Sequence, residues 1–265
     1  MLEKYLNNRF LTLYLMPFII GSLTVFTFQP YNLTFLNFLV LPIFFYLAVY
    51  INKKSKSTFR KKPHKKNLFI FGSLFGFGFY VSGVSWITNS LTFDENFKVL
   101  IPFAIILIPL FLSLFMGFTV LIIGPLLNYN ISSIFIFSAA LGFSDFLRAK
   151  LFSGFPWNLW AYSLSWITEL LQTLNLLGLF AFNLIVITIF TLPIILFYQF
   201  PIIKKISIIF LTVILVLCLY IYGNHEINKN QNYLNTLNKK INTKIVSPNF
   251  DLKYDLDINQ IEKKL

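Results

Sequence analysis

The chain has 265 residues, 57% of them hydrophobic and 12% charged, with a mean hydropathy of +0.71 and a formal net charge of +12. Soluble domains carry about 25% charged residues, so this composition excludes an ordinary water-soluble fold and points to a helical membrane protein. Eight of the 22 basic residues fall in KKSKSTFRKKPHKK, Lys53 to Lys66, with no acid among them, which argues for a cytoplasmic loop beside anionic headgroups and against a nucleic-acid surface.

A span needs about 20 apolar residues, and seven such runs are read in chain order. They cover about 10–28, 32–51, 68–89, 99–127 and 131–149, then part of 166–198, then 202–222. The first run lacks a small-residue cleavage site and passes through Phe28, Gln29 and Pro30 into the next, so it is expected to be retained. Lys4 and Arg9, the Lys53–Lys66 cluster, and Lys204 with Lys205 all reach the cytoplasm if the N-terminus lies inside. That orientation puts 90–98, 150–165 and 224–265 outside. The expected class is therefore an α-helical polytopic bundle. Its membrane domain covers 1–223, and an extracytoplasmic segment covers 224–265.

In the third run, Gly72, Gly76 and Gly83 share a helical face, and Gly72 with Gly76 forms a GxxxG pair. Small residues let helices approach closely in lipid, and helix packing is favoured there over a groove for a lipid chain. In the sixth region Thr168, Gln172, Asn175 and Asn183 share a sector of one helix, which is expected to face the bundle, with interhelical hydrogen bonding favoured over a substrate-lining role. The single cysteine, Cys218, lies in an apolar run, and His64 and His225 are far apart, so neither a disulfide nor a metal centre is expected. No cofactor is indicated.

The stretch LFSGFPWNLWAYSLSW, Leu151 to Trp166, interrupts the apolar pattern. Pro156 disfavours helix at Phe155, and Gly154 permits conformations closed to other residues. Trp157, Trp160, Tyr162 and Trp166 are residue types that settle at a headgroup interface. Just upstream, Asp145 and Arg148 are spaced to pair on the last turn of the fifth span. A bend on the outer membrane surface is expected.

SDFLRAKLFSGFPWNLWAYS resembles the segment E-x-x-R-G-x-x-x-x-G-F-P-W-x-x-x-G-Y-S of apolipoprotein N-acyltransferases, with Asp145 for Glu and Ala149 for Gly. FTFQPYN is similar to the family's break after the first span, and GFGFYVSGVSWITNSL to its G-x-x-x-x-x-G-x-x-W-x-x-x-S run. KIVSPNFDLKYD resembles the stretch that opens a nitrilase-like α/β domain, with Tyr254 in place of the usual Trp.

The resemblance implies an inner-membrane enzyme that moves an acyl chain from phospholipid to the diacylglyceryl cysteine of a bacterial lipoprotein. It implies a Glu, Lys and Cys triad in the nitrilase-like domain, acting through an acyl thioester. These residues would fall beyond Leu265, so the chain by itself is expected to be inactive, with no catalytic residue of its own. Implied partners are the phospholipid donor, a diacylated apolipoprotein and membrane lipids, and a separate chain supplying the nitrilase-like domain is a further option. Gly154, Phe155, Pro156, Trp157, Trp86, Asp145, Arg148 and Tyr254 are the residues expected to contact lipid or substrate. A non-catalytic lipid- or lipoprotein-binding protein and, less favoured, a small transporter remain open as alternatives.

Overall fold

A computed structural model describes residues 8–58, 63–152, 154–237 and 243–244. Tyr254 and nearly all of the anticipated nitrilase-like opening lie outside the described residues. Lipid offers no partners for backbone N–H and C=O groups, so apolar runs satisfy them internally as helices. Among the described residues there are only helices and turns, and no strand.

Helix α1 is the stretch Leu11–Thr27, opening as a π-turn and closing as a 3-10 turn. Helices α2 (Asn37–Thr58) and α3 (Pro63–Gly83) follow. Two 3-10 segments, Ser85–Thr92 and Glu95–Leu100, lead into α4 (Ile101–Ile123). Then come α5 (Ile131–Lys150), the short α6 (Thr168–Leu171), α7 (Leu174–Thr191) and α8 (Ile202–Thr236).

Among the described residues, five helical stretches are long and apolar enough to cross a membrane: Thr34–Ser55, Glu95–Leu126, Ile131–Lys150, Leu174–Phe197 and Ile202–Thr236. A sixth results if His64–Gly83 and Ser85–Thr92, bent by 45°, count as one. This differs from the seven read in the sequence for two physical reasons. The first run yields a helix of about 25 Å at 1.5 Å per residue, short of a hydrocarbon core of about 30 Å. The third leaves helical geometry at Val84 (φ −123°, ψ 9°).

The closest pairing is α3 with α4. A Cβ on Gly72 would stand 2.7 Å from the Met116 carbonyl oxygen, and one on Gly76 would stand 2.9 Å from the Met116 Cβ. These two glycines therefore form a packing seam, and no lipid groove opens there. Gly83 instead faces the Asn158 side chain. Aromatic rings fill the centre of the bundle: Phe44 stacks on Phe75 with centroids 3.8 Å apart and meets Phe137 edge-on at 5.5 Å.

The 166–198 region is not one helix. Gly178 adopts φ 73° and ψ 166°, which breaks the helical register. The expected polar sector is broken with it: Asn183 is fully buried, whereas Thr168 and Asn175 are exposed. Helix α8 also differs from expectation, because it passes residue 222 and ends at Thr236. It stands apart from the bundle, with 6% of its apolar window buried. It touches α6 near one end, where Gly223 lies against the Glu169 backbone, and the turn Leu192–Phe197 near the other.

The molecule thus has two ends. The basic end carries Lys53, Lys54, Tyr129, Tyr198 and Lys204, with Lys53 4.3 Å above the Tyr129 ring. The bend end carries 28–36, 84–100 and 151–167.

Candidate functional site at the bend end

The chain leaves α5 through a compact turn. Leu151 N–H donates to the Leu147 carbonyl at 2.8 Å, Gly154 N–H to Leu151 at 2.9 Å, and Phe155 N–H to Arg148 at 3.0 Å. Phe152 (φ 52°), Gly154 (φ 81°) and Asn158 (φ 56°) all take left-handed backbone geometry. Gly154 suits this geometry, having no Cβ. Phe152 and Asn158 adopt it at a cost of about 1–3 kcal/mol each. A cluster of left-handed residues in one short bend marks a position fixed by the surrounding structure.

Arg148 supplies that fixing. Its Nη1 donates to the Phe155 carbonyl at 2.6 Å and to the Trp157 carbonyl at 2.7 Å, while Nη2 donates to Asp145 Oδ1 at 3.0 Å. The guanidinium also lies 5.3 Å from the Tyr80 ring centroid. Asn183 Nδ2 donates to Asp145 Oδ2 at 2.9 Å, and Asn183 Oδ1 accepts from Ala161 N–H at 2.9 Å. Asp145 and Arg148 are each 1% exposed. The expected pair therefore exists, but it sits in the interior rather than on a helix surface. With both carboxylate oxygens engaged, Asp145 is a fixed anchor and not a base open to substrate.

Two further ties hold the bend. Thr34 Oγ1 donates to the Ser163 carbonyl at 2.5 Å, and Trp166 Nε1 donates to Thr34 Oγ1 at 2.8 Å. Trp160 is fully buried and stacks on Phe79 with centroids 5.3 Å apart. This corrects its assignment to the headgroup interface: the turn at Asn158 sends Trp160 inward, and a tryptophan's position in sequence does not reveal that. Burial also raises the pKa of the Tyr162 phenol above its ordinary value.

The surface left exposed is aromatic. Trp157 and Trp86 are about half exposed and meet edge-on at 5.5 Å, an approach the sequence did not indicate. Pro156 is exposed and Phe155 and Gly154 are half-buried beside them. The structure thus gathers Gly154, Phe155, Pro156, Trp157 and Trp86 above the Asp145–Arg148 anchor. Sequence reasoning missed Asn183 as the partner of Asp145, and it missed Phe152. Asn183 had been expected to face the bundle as part of a polar sector, but nothing in the sequence named Asp145 as its partner. Phe152 gave no signal, because nothing in its residue type announces a positive φ. Among the described residues no group of three or more His, Cys, Asp or Glu comes together. The one cysteine, Cys218, is exposed on α8. The surface that the bend leaves open is thus aromatic and apolar, with Trp157 and Trp86 at its centre.

The sequence model described as the apolipoprotein N-acyltransferase N-terminal domain matches residues 20–192, well over half of the chain. A protein of Agrobacterium fabrum named apolipoprotein N-acyltransferase is 38% identical over 109 residues, covering 41% of this chain and 21% of that one. Proteins of the same name from Brucella suis biovar 1 and Bradyrhizobium diazoefficiens are 29% identical over 168 residues and 30% over 160. Those two matches cover 62% and 60% of this chain and 31% and 29% of the relatives. The matched region thus spans under a third of each relative's length. The 20–192 match contains the bend, its anchor and the glycine seam, and on that match the chain belongs to the apolipoprotein N-acyltransferase family.

Proposed function

We propose that this chain forms the membrane-embedded part of an enzyme that moves an acyl chain from phospholipid to the N-terminal diacylglyceryl cysteine of bacterial lipoproteins. The observation that carries this reading is the Arg148 latch. It holds an exposed patch of Phe155, Pro156, Trp157 and Trp86 at one end of an apolar bundle. An aromatic platform at that depth suits acyl chains entering from the bilayer.

The protein sits in the bacterial inner membrane, with the basic end in the cytoplasm and the bend end in the periplasm. The concentration of Lys and Arg at one end supports this orientation. The bent α3 unit supplies a sixth crossing, and α1 supplies a seventh where the bilayer thins to match its shorter length. Residues 1–223 are the membrane unit, and 224–265 belong to a periplasmic nitrilase-like unit. The partners are the phospholipid donor and the diacylated apolipoprotein, and a separate nitrilase-like chain is another way to supply the chemistry. These 265 residues catalyse no transfer alone, since Cys218 lies on a lipid-facing helix where a thiolate is disfavoured.

The test is a chimera in which residues 20–192 replace the matching region of the Agrobacterium fabrum relative. The chimera is expected to acylate a diacylated lipoprotein peptide from phospholipid, and the isolated chain is not. A folded, membrane-inserted chimera with no transfer overturns the reading.

A further inference from the structure

Two apolar cavities lie end to end on the side of the bundle. One, of about 550 Å³, runs between α4 and α5 and is lined by Phe115, Phe118, Ile122, Ala140, Phe143 and Leu147 among others. The other, of about 440 Å³, lies toward the bend, against Leu107, Ile108, Gly154 and Phe155. Phe111 and Phe152 line both, and their rings meet edge-on at 5.3 Å. Together they make one furrow from Leu107 to Ile122, about 22 Å long at 1.5 Å per residue. One leaflet of a core about 30 Å thick is about 15 Å deep, so the furrow accepts the full depth of a chain from one leaflet.

Its chemistry narrows the occupant. The hydroxyls of Thr119 and Ser144, the two in the wall, both donate to the Phe115 carbonyl, at 2.7 and 3.3 Å, and so leave the wall apolar. The furrow opens sideways within the spans: Phe118 is 51% and Ile122 68% exposed. At its bend end, Lys150 closes α5 beside the lining residue Leu151. Lys150 is exposed and pairs with no described carboxylate. Lys150 stands one residue from Leu151 and one helical turn from Leu147 in the wall, so a dry furrow with an exposed lysine at that end complements an apolar tail carrying a phosphate.

We infer that the α4–α5 furrow is a lipid site that takes one acyl chain of an anionic glycerophospholipid, with the phosphate at Lys150. The left-handed Phe152 sits at the junction of its two halves. The inference rests on the acyltransferase reading for its meaning, since a chain held here ends beside Gly154 and Phe155 under the aromatic patch.

The chain is reconstituted in phosphatidylethanolamine vesicles containing a small fraction of phosphatidylglycerol with a diazirine at mid-chain. The sample is irradiated and adducts are mapped by mass spectrometry. A several-fold excess of adducts on Phe118, Ile122 and Phe143 over the comparably exposed Phe210 and Leu211 of α8 is expected. Ala140→Trp, which fills the furrow, is expected to bring the excess down to the α8 level. Lys150→Gln leaves the wall intact and is expected to reduce it several-fold. Even labelling of furrow and α8, or an excess unchanged in Lys150→Gln, overturns the inference. An inactive chimera alongside preferential furrow labelling would instead count against the acyltransferase reading alone.

Discussion

Asn183 donates to the Asp145 carboxylate across 2.9 Å, tying α7 to α5. The same carboxamide accepts from Ala161 N–H in the bend, so one side chain joins two helices and a turn. Asn183→Leu keeps the volume but strands a buried carboxylate oxygen and a buried N–H. A loss of about 2 kcal/mol in stability is expected, measured by denaturant titration in mixed micelles. An unchanged midpoint would mean that Asp145 does not depend on Asn183.

The Asp145–Arg148 pair predicts strong coupling. Asp145→Ala leaves a buried guanidinium uncompensated and is expected to cost about 3–5 kcal/mol. The double variant Asp145→Ala/Arg148→Ala is expected to cost clearly less than the sum of the singles, and additive costs would contradict a direct pair. Arg148→Lys keeps the charge but cannot span Asp145, Phe155 and Trp157 together, so it is expected to behave like a loss.

Several of these features were legible in the sequence and others were not, for physical reasons. The helical membrane character follows from apolar runs that only helices can satisfy in lipid. The bend was marked by Gly154 and Pro156, and the ion pair by its spacing. The break at Gly178 was hidden, because the apolar run continues through it and glycine is common in such helices. The burial of Trp160 was hidden too: interface and core tryptophans share one residue type, and only the turn at Asn158 separates them.

Trp160 and Trp157 are expected to respond in opposite ways. Trp160→Ala removes a fully buried ring stacked on Phe79 and is expected to cost about 3–5 kcal/mol. Trp157→Ala is expected to leave the folded yield nearly unchanged and to lower acyl transfer in the active chimera. Full transfer by the Trp157 variant would reduce that residue to a membrane anchor.

The glycine seam predicts an order. Gly72→Ala pushes a methyl at the Met116 carbonyl oxygen, which the helix holds in place, whereas Gly76→Ala meets the side-chain carbon of Met116. Gly72→Ala is expected to cost about 1–3 kcal/mol and to exceed Gly76→Ala in the same unfolding assay. The reverse order would place the tighter contact elsewhere on α4.

At the basic end, burial and then the neighbouring Tyr46 hold the Tyr129 pKa well above the ordinary 10.0. Burial does the same to Tyr198. Above pH of about 10 the unfolded chain has lost these protons and the folded chain keeps them. The unfolded state then binds fewer protons, so stability is complete below that pH and falls as pH rises toward the folded values. Tyr129→Phe is expected to flatten part of this fall, read from unfolding midpoints across alkaline pH. An equal fall in the variant would assign it to other groups.

Helix α8 continues 13 residues past Gly223, about 20 Å at 1.5 Å per residue. With so little of it buried, it is held at two places: Lys205 Nζ donates to the Leu196 carbonyl at 2.8 Å near its start, and further along Gly223 rests on the Glu169 backbone while Tyr220 Oη donates to Glu169 Oε1 at 3.3 Å. The stretch from Gly223 to Thr236 is thus a spar that overhangs its second bearing. A side chain at position 223 would press on the Glu169 carbonyl and shift the outer end of the spar without touching it.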